Sequence, residues 1–201
     1  MARHNVVRKI KNRTTIILVM LLISIMVSWV IWGNLSVETT KLTVTSKDLP
    51  EAFDKFSIAH ISDLHNAEYG KNNEKLIDIL EAESPNIIAI TGDLIDSNHT
   101  NLEVALSFAQ QAVKIAPCYF VTGNHEAWIG SQYEELKTSL QNTGITVLQD
   151  EAIELNYGDV CIQLIGLNDP DFSERDRLLS ESILEVKLSQ VNISDGFTIL
   201  L

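Results

Sequence analysis

The stretch "YFVTGNHEAW", residues 119–128, decides how the chain is read. Apolar, strand-forming residues run into Gly123 and then straight into Asn124, His125 and Glu126. A glycine at a strand end lets the backbone turn sharply and brings polar side chains close to a ligand. The same device stands twice upstream. "FSIAHISDLH" (56–65) ends on Ser62-Asp63-Leu64-His65, and "NIIAITGDLID" (86–96) ends on Gly92-Asp93-Leu94-Ile95-Asp96. Asp63 and Asp93 are 30 residues apart, and Asp93 and Asn124 are 31 apart. Each interval fits one strand–helix–strand unit. Parallel strands then bring the three clusters to one sheet edge, the carboxyl edge where such folds place their sites.

The intervals read as helices. "NNEKLIDILEAES" (72–84) carries Leu76, Ile77 and Leu80 at helical spacing, with Asn72 or Asn73 as its cap. "NLEVALSFAQQAV" (101–113) is a second helix, and "SQYEELKTSLQNTG" (131–144) a third, stopped by Gly144. Short strands follow in "ITVLQD", "EAIELNY" and "CIQLIGLND", the last two joined by a Gly158-Asp159 hairpin turn. "ERDRLLSESILEVKLSQ" (174–190) reads as a helix and "FTILL" (197–201) as a strand, while "VETTKLTVTS" (37–46) alternates like an edge strand. Buried strands separated by single helices give an α/β fold with a mostly parallel central sheet. Cys118 and Cys161 sit in strand-like runs and read as small buried hydrophobes. Trp128 and Tyr133 follow the third motif and could flank a substrate, with packing the favoured reading, and His60 reads as a ladder or core residue.

Charge divides the chain in two. The 201 residues carry a formal net charge of −12, which argues against a nucleic-acid surface. Arg3, Arg8, Lys9, Lys11 and Arg13 precede the first acid, Glu38, which leaves ten basic against 27 acidic residues in the remainder. Between them lies "TTIILVMLLISIMVSWVIWG" (14–33), long enough to cross a bilayer as a helix. Trp29 and Trp32 stand near its end, where indoles favour the membrane interface. The run exceeds a signal-peptide core and no A-x-A site follows it, so a retained anchor is the expectation. The organisation reads as a basic cytoplasmic N-terminus at 1–13, an anchor at 14–33 and an α/β domain over 54–201.

Asp63 and Asp93 offer carboxylate oxygens, His65 an imidazole nitrogen and Asn124 an amide oxygen. That mixture suits Mn²⁺, Fe or Zn²⁺. Each residue alone is more often a cap, a turn or a satisfied polar group. In order, at strand ends and evenly spaced, they point to a metal site.

The three motifs, "ISDLH", "TGDLID" and "VTGNHE", resemble those of the calcineurin-like metallophosphoesterases, in particular a membrane-anchored bacterial branch. The resemblance implies a four-layer α/β sandwich, preceded here by one transmembrane helix, and two divalent metal ions. It assigns Asp63 and His65 to the first metal, Asp93 to both and Asn124 to the second. It makes His125 the catalytic group at the leaving oxygen, and Asp96 and Glu126 supports that orient ligands. It implies hydrolysis of a phosphoester by a water activated between the metals. An envelope or lipid-linked substrate suits the anchor, and nucleic acid is not expected.

One departure stands against it. The family completes its metal shell with later histidines, and no histidine follows His125 here. The chain is therefore expected to be the N-terminal part of such a domain, inactive or weakly active by itself. The alternative is a membrane-tethered inactive relative or binding module. The charge asymmetry generates a first prediction. Reporters fused after Leu201 should be active only outside the cytoplasm, and activity of a cytoplasmic reporter alone would reverse the orientation.

Overall fold

The computed structural model describes residues 2–172 and 180–201. It divides into two units, residues 1–39 and 40–201. The first contains a single helix, α1 (Ala2–Leu35). Within it Thr15–Gly33 is long and apolar enough to cross a membrane, a test that a signal sequence also passes.

The second unit is built on a four-stranded parallel sheet. Its strands are β1 (Ile58–Ile61), β2 (Ile87–Thr91), β3 (Cys118–Val121) and β4 (Thr146–Val147), in that order across the sheet. Helices α2 (Glu74–Glu83), α3 (Leu102–Ala112) and α5 (Gln132–Thr143) are the crossovers, with the short α4 (Asn124–Trp128) directly after β3. A second sheet has the order β5 (Glu151–Tyr157), β6 (Val160–Gly166), β7 (Thr198–Leu200). β5 and β6 form the expected antiparallel hairpin, and β7 runs parallel to β6. Gly158 turns that hairpin at φ +62°, a conformation open to glycine without strain.

Side-chain parity explains the layering. Ile87 of β2, Val121 of β3 and Leu148 form one apolar cluster with Leu155 of β5 and with Ile162 and Leu164 of β6. That cluster joins the two sheets face to face. Ile88 and Ile90 alternate onto the other face of the parallel sheet and are fully buried, as are Phe108 of α3 and Leu136 and Leu140 of α5. On the second sheet, Ala152 and Ile165 turn away from the shared cluster and pack with Leu188 of α6 (Ser180–Gln190) and with Val191. The layers are therefore helices, parallel sheet, mixed sheet, helix.

Several sequence expectations are corrected. Residues 37–46 form no strand, and Leu42 and Val44 are exposed. Alternation alone cannot create a strand without a partner edge. β1 lies at the edge of its sheet, so it is half-exposed rather than buried. Its His60 pairs with Thr91 Oγ1 across the ladder. Cys118 is buried, and desolvation pushes its thiol up to about 12, whereas Cys161 faces out. Asn73 caps α2 by position only, because its Oδ1 accepts the Tyr69 N–H instead. Asn101 does cap α3, accepting the Glu103 N–H at 3.1 Å. Gly144 ends α5 at φ +102°, as read. The first residues of the helix expected over 174–190 lie outside the described residues.

One ion pair ties α6 to the rest of this unit. Lys187 donates to both carboxylate oxygens of Asp150 at 2.9 Å and to the Asn168 carbonyl at 3.1 Å. The lysine side chain is 11% exposed and Asp150 34%, so solvent screens the pair only in part. Lys187→Met should destabilise the unit by about 2 kcal/mol, because it leaves Asp150 without its cation. Urea denaturation of the chain in detergent should show the shift, and an unchanged midpoint would make the pair energetically neutral.

Candidate metal centre

The parallel register brings the ends of β1, β2 and β3 together, and backbone hydrogen bonds lock their loops. Asp63 N–H donates to Gly92 O at 3.2 Å, His65 N–H to Asp93 O at 2.8 Å, and Asn66 N–H to Leu94 O at 3.1 Å. Asp63, His65 and Asp93 have φ of +55°, +46° and +51°. Each left-handed non-glycine residue costs on the order of 1 kcal/mol, so the surrounding contacts must hold these loops in place.

Two glycines make the close approach feasible. A Cβ on Gly92, which has φ +82°, would run into the backbone of Gly123. A Cβ on Gly123 would run into the Asp93 carboxylate and backbone. The Asp93 loop and the start of α4 therefore touch main chain to main chain.

Glu126 fastens them. Its carboxylate is fully buried and accepts N–H groups of Gly123 at 2.8 Å, Asp93 at 2.8 Å, Leu94 at 2.9 Å and Ile95 at 3.4 Å. Desolvation raises its pKa, and the Gly123 and Asp93 N–H donors oppose that shift. Glu126 is occupied with backbone N–H groups.

Above this clamp the ligand atoms of His65, Asp93 and His125 lie within 4.8 Å of one another. His65 Nε2 is 3.7 Å from Asp63 Oδ1 and 3.9 Å from Asp93 Oδ2. The His65 and His125 rings stand 4.4 Å apart, edge to face. Asp93 Oδ1 accepts the His125 N–H at 2.9 Å. Asn124 is the half-buried first residue of α4, next to His125. Asp96 Oδ1 lies 3.7 Å from His125 Nδ1, and that nitrogen accepts the Ser97 N–H at 3.0 Å. The Asn98 backbone N–H holds the Asp96 carboxyl below its ordinary pKa.

The donor set fits a divalent cation. Among the described residues no lysine or arginine pairs with Asp63 or Asp93. His65 Nδ1 is buried and has no hydrogen-bond partner. Converging carboxylates and imidazoles without a compensating cationic side chain are what a metal ion offsets.

With this geometry in view, the relatives can be compared. Residues 56–195 match the calcineurin-like phosphoesterase family. The chain is a member of that family. It is 28% identical over 137 residues to the uncharacterized metallophosphoesterase YkoQ of Bacillus subtilis, covering 66% of this chain and 50% of that one. It is 29% identical over 136 residues to an uncharacterized metallophosphoesterase of Aquifex aeolicus, covering 65% of this chain and 49% of that one. The chain thus spans about half the length of the curated relatives it matches. Its fold resembles that of the crystal structure of phosphopantetheinyl hydrolase from Mycobacterium tuberculosis, with a TM-score of 0.50, 15% identity, and coverage of 72% of this chain and 67% of that one.

Some supporting residues of this calcineurin-like site escape a motif reading. Asn66 Oδ1 accepts the Asp96 N–H at 2.8 Å and the Asn101 N–H at 3.2 Å, while its amide donates to Asn101 O at 2.7 Å. It binds the first loop to the second. Thr122 Oγ1 donates to Asn168 Oδ1 and accepts the Asp169 N–H, both at 3.1 Å. It binds the third loop to the strap at 168–172. Asn66 adjoins the first motif and Thr122 the third, but nothing in the sequence names their partners.

The clamp generates a prediction. Glu126→Gln turns an acceptor into an amide N–H₂ facing buried N–H groups. It should cost about 3 kcal/mol in stability and loosen the Asp93 loop. Thermal unfolding measures the first effect and hydrogen exchange at Asp93 and Leu94 the second. An unchanged Tm would show that the carboxylate does not hold the loop.

Proposed function

We propose that this chain belongs to a phosphoesterase that hydrolyses a phosphoric ester by direct attack of water. The observation that carries the reading is the convergence of His65, Asp93 and His125 within 4.8 Å, with Asp63 alongside. Asp63 and His65 would hold one divalent ion, Asp93 both, and Asn124 the second, with Mn, Fe or Zn suited to such donors. Bound there, two such ions supply a water acidified toward neutrality and positive charge for the phosphoryl oxygens.

The chain's own residues do the rest. Asp93 is held from both sides, by its N–H on Glu126 and its Oδ1 on the His125 N–H, so its second oxygen is aimed without searching. His125 accepts the Ser97 N–H on Nδ1, so the neutral ring carries its proton on Nε2. That nitrogen is a donor, suited to hydrogen-bonding the departing oxygen as negative charge develops on it. The apolar helix at Thr15–Gly33 would tether the domain outside the cytoplasm, near envelope or lipid-linked phosphoesters.

The test uses the chain solubilised in detergent, stripped with chelator and reloaded with Mn²⁺. It should bind metal weakly and hydrolyse p-nitrophenyl phosphoesters slowly. Asp93→Asn should lose metal and activity together. His125→Ala should retain metal and lower turnover about 10²–10⁴-fold. A wild-type chain that binds no metal and cleaves no ester would overturn the reading. Equal metal loss in both variants would make His125 a ligand instead.

A further inference from the structure

Packing was the favoured reading of Trp128, but the residue is 52% exposed, yet held on two sides. The indole Nε1–H donates to Asp171 Oδ2 at 2.6 Å, and the ring lies 4.9 Å from that of His125, tilted by 40°. His125 and Trp128 are three residues apart in α4 and so share a face.

The acceptor is itself anchored. Asp171 donates its own N–H to Asp169 Oδ1 at 2.8 Å, and the Asp169 N–H reaches Thr122 at 3.1 Å. The neighbouring Phe172 packs edge-on against buried Tyr133 at 4.7 Å. The strap thus fixes the indole beside the imidazole. With its N–H engaged, the exposed ring surface has no polar group left to present. Ordering a large side chain that stays in water is a cost that burial does not offset.

We propose that Trp128 forms the wall on which the leaving group of the substrate lies, and that it selects an uncharged planar or apolar substituent on the phosphorus. This rests on the phosphoesterase reading, in which His125 faces the leaving oxygen. A substituent projecting past His125 meets the indole next. Ring stacking there changes affinity roughly two- to tenfold, since such contacts are individually modest.

The test separates this proposal from that reading by measuring binding. The Mn²⁺-loaded full chain is titrated with phenylphosphonate and with methylphosphonate, and the ratio of the two Kd values is read by equilibrium dialysis. Wild type should prefer phenylphosphonate. Trp128→Ala should collapse the preference roughly two- to tenfold while leaving the methylphosphonate Kd unchanged, and Trp128→Phe should keep most of it. If both Kd values rise together in Trp128→Ala, the indole merely supports His125 and the proposal fails. It fails equally if wild type shows no preference. A wild-type preference lost in Trp128→Ala upholds it whatever the turnover of the chain.

Discussion

The buried carboxylate of Glu126 is the contact on which the site depends. It takes up four backbone N–H groups from two loops that sequence separates by about thirty residues. Those N–H groups point inward because the chain turns on Gly92 and Gly123, which touch backbone to backbone. Without an acceptor they would be buried and unsatisfied, a cost of several kcal/mol at such a turn. With it, the turn becomes rigid and Asp93 is presented outward. The left-handed backbone at Asp63, His65 and Asp93 is tolerated for the same reason: the hydrogen-bonded loops leave those residues nowhere else to go.

A second line of contacts joins this clamp to the mixed sheet. Lys187 holds Asp150 and the Asn168 carbonyl, Asn168 meets Thr122, and Thr122 directly precedes Gly123. The two sheets are joined by apolar packing, which fixes distance but not register. Polar contacts are directional, so this line sets how the strap at 168–172 lies over α4. Trp128 and Tyr133 are then gripped by Asp171 and Phe172. Acidic groups gather on this side. Desolvation raises the pKa of Asp169, with the charges of Asp171 and Asp93 adding to the effect. Crowded carboxylates of this kind are stable together when cations sit among them.

Much of this was legible in the residues. Three polar clusters about thirty residues apart, each after an apolar run, require a common sheet edge, because parallel strands advance the chain one unit at a time. The helices at 74–83, 102–112 and 132–143 follow from periodicity, and the hairpin at Gly158 follows from turn chemistry. These are local properties, fixed by which side chains can share a face and which φ angles a residue can reach. The motifs likewise put Asp63, His65, Asp93, Asn124 and His125 just after three parallel strands, where the structure has them.

What the sequence could not determine is who answers whom at long range. That Glu126 serves the Asp93 loop, that Asn66 bridges to Asn101, and that Thr122 reaches Asn168 all depend on loops meeting after the sheet has formed. Exposure was also out of reach. Cys161 and β1 look buried by composition, but one faces solvent and the other lies at an edge, which only strand order decides. Trp128 is apolar by type and exposed by position, because α4 ends there and the strap takes its N–H rather than covering its face. Local preference is set by neighbours within a few residues, so the sequence fixes it directly; burial and partnership are set by packing across the whole chain, so only the tertiary structure decides them.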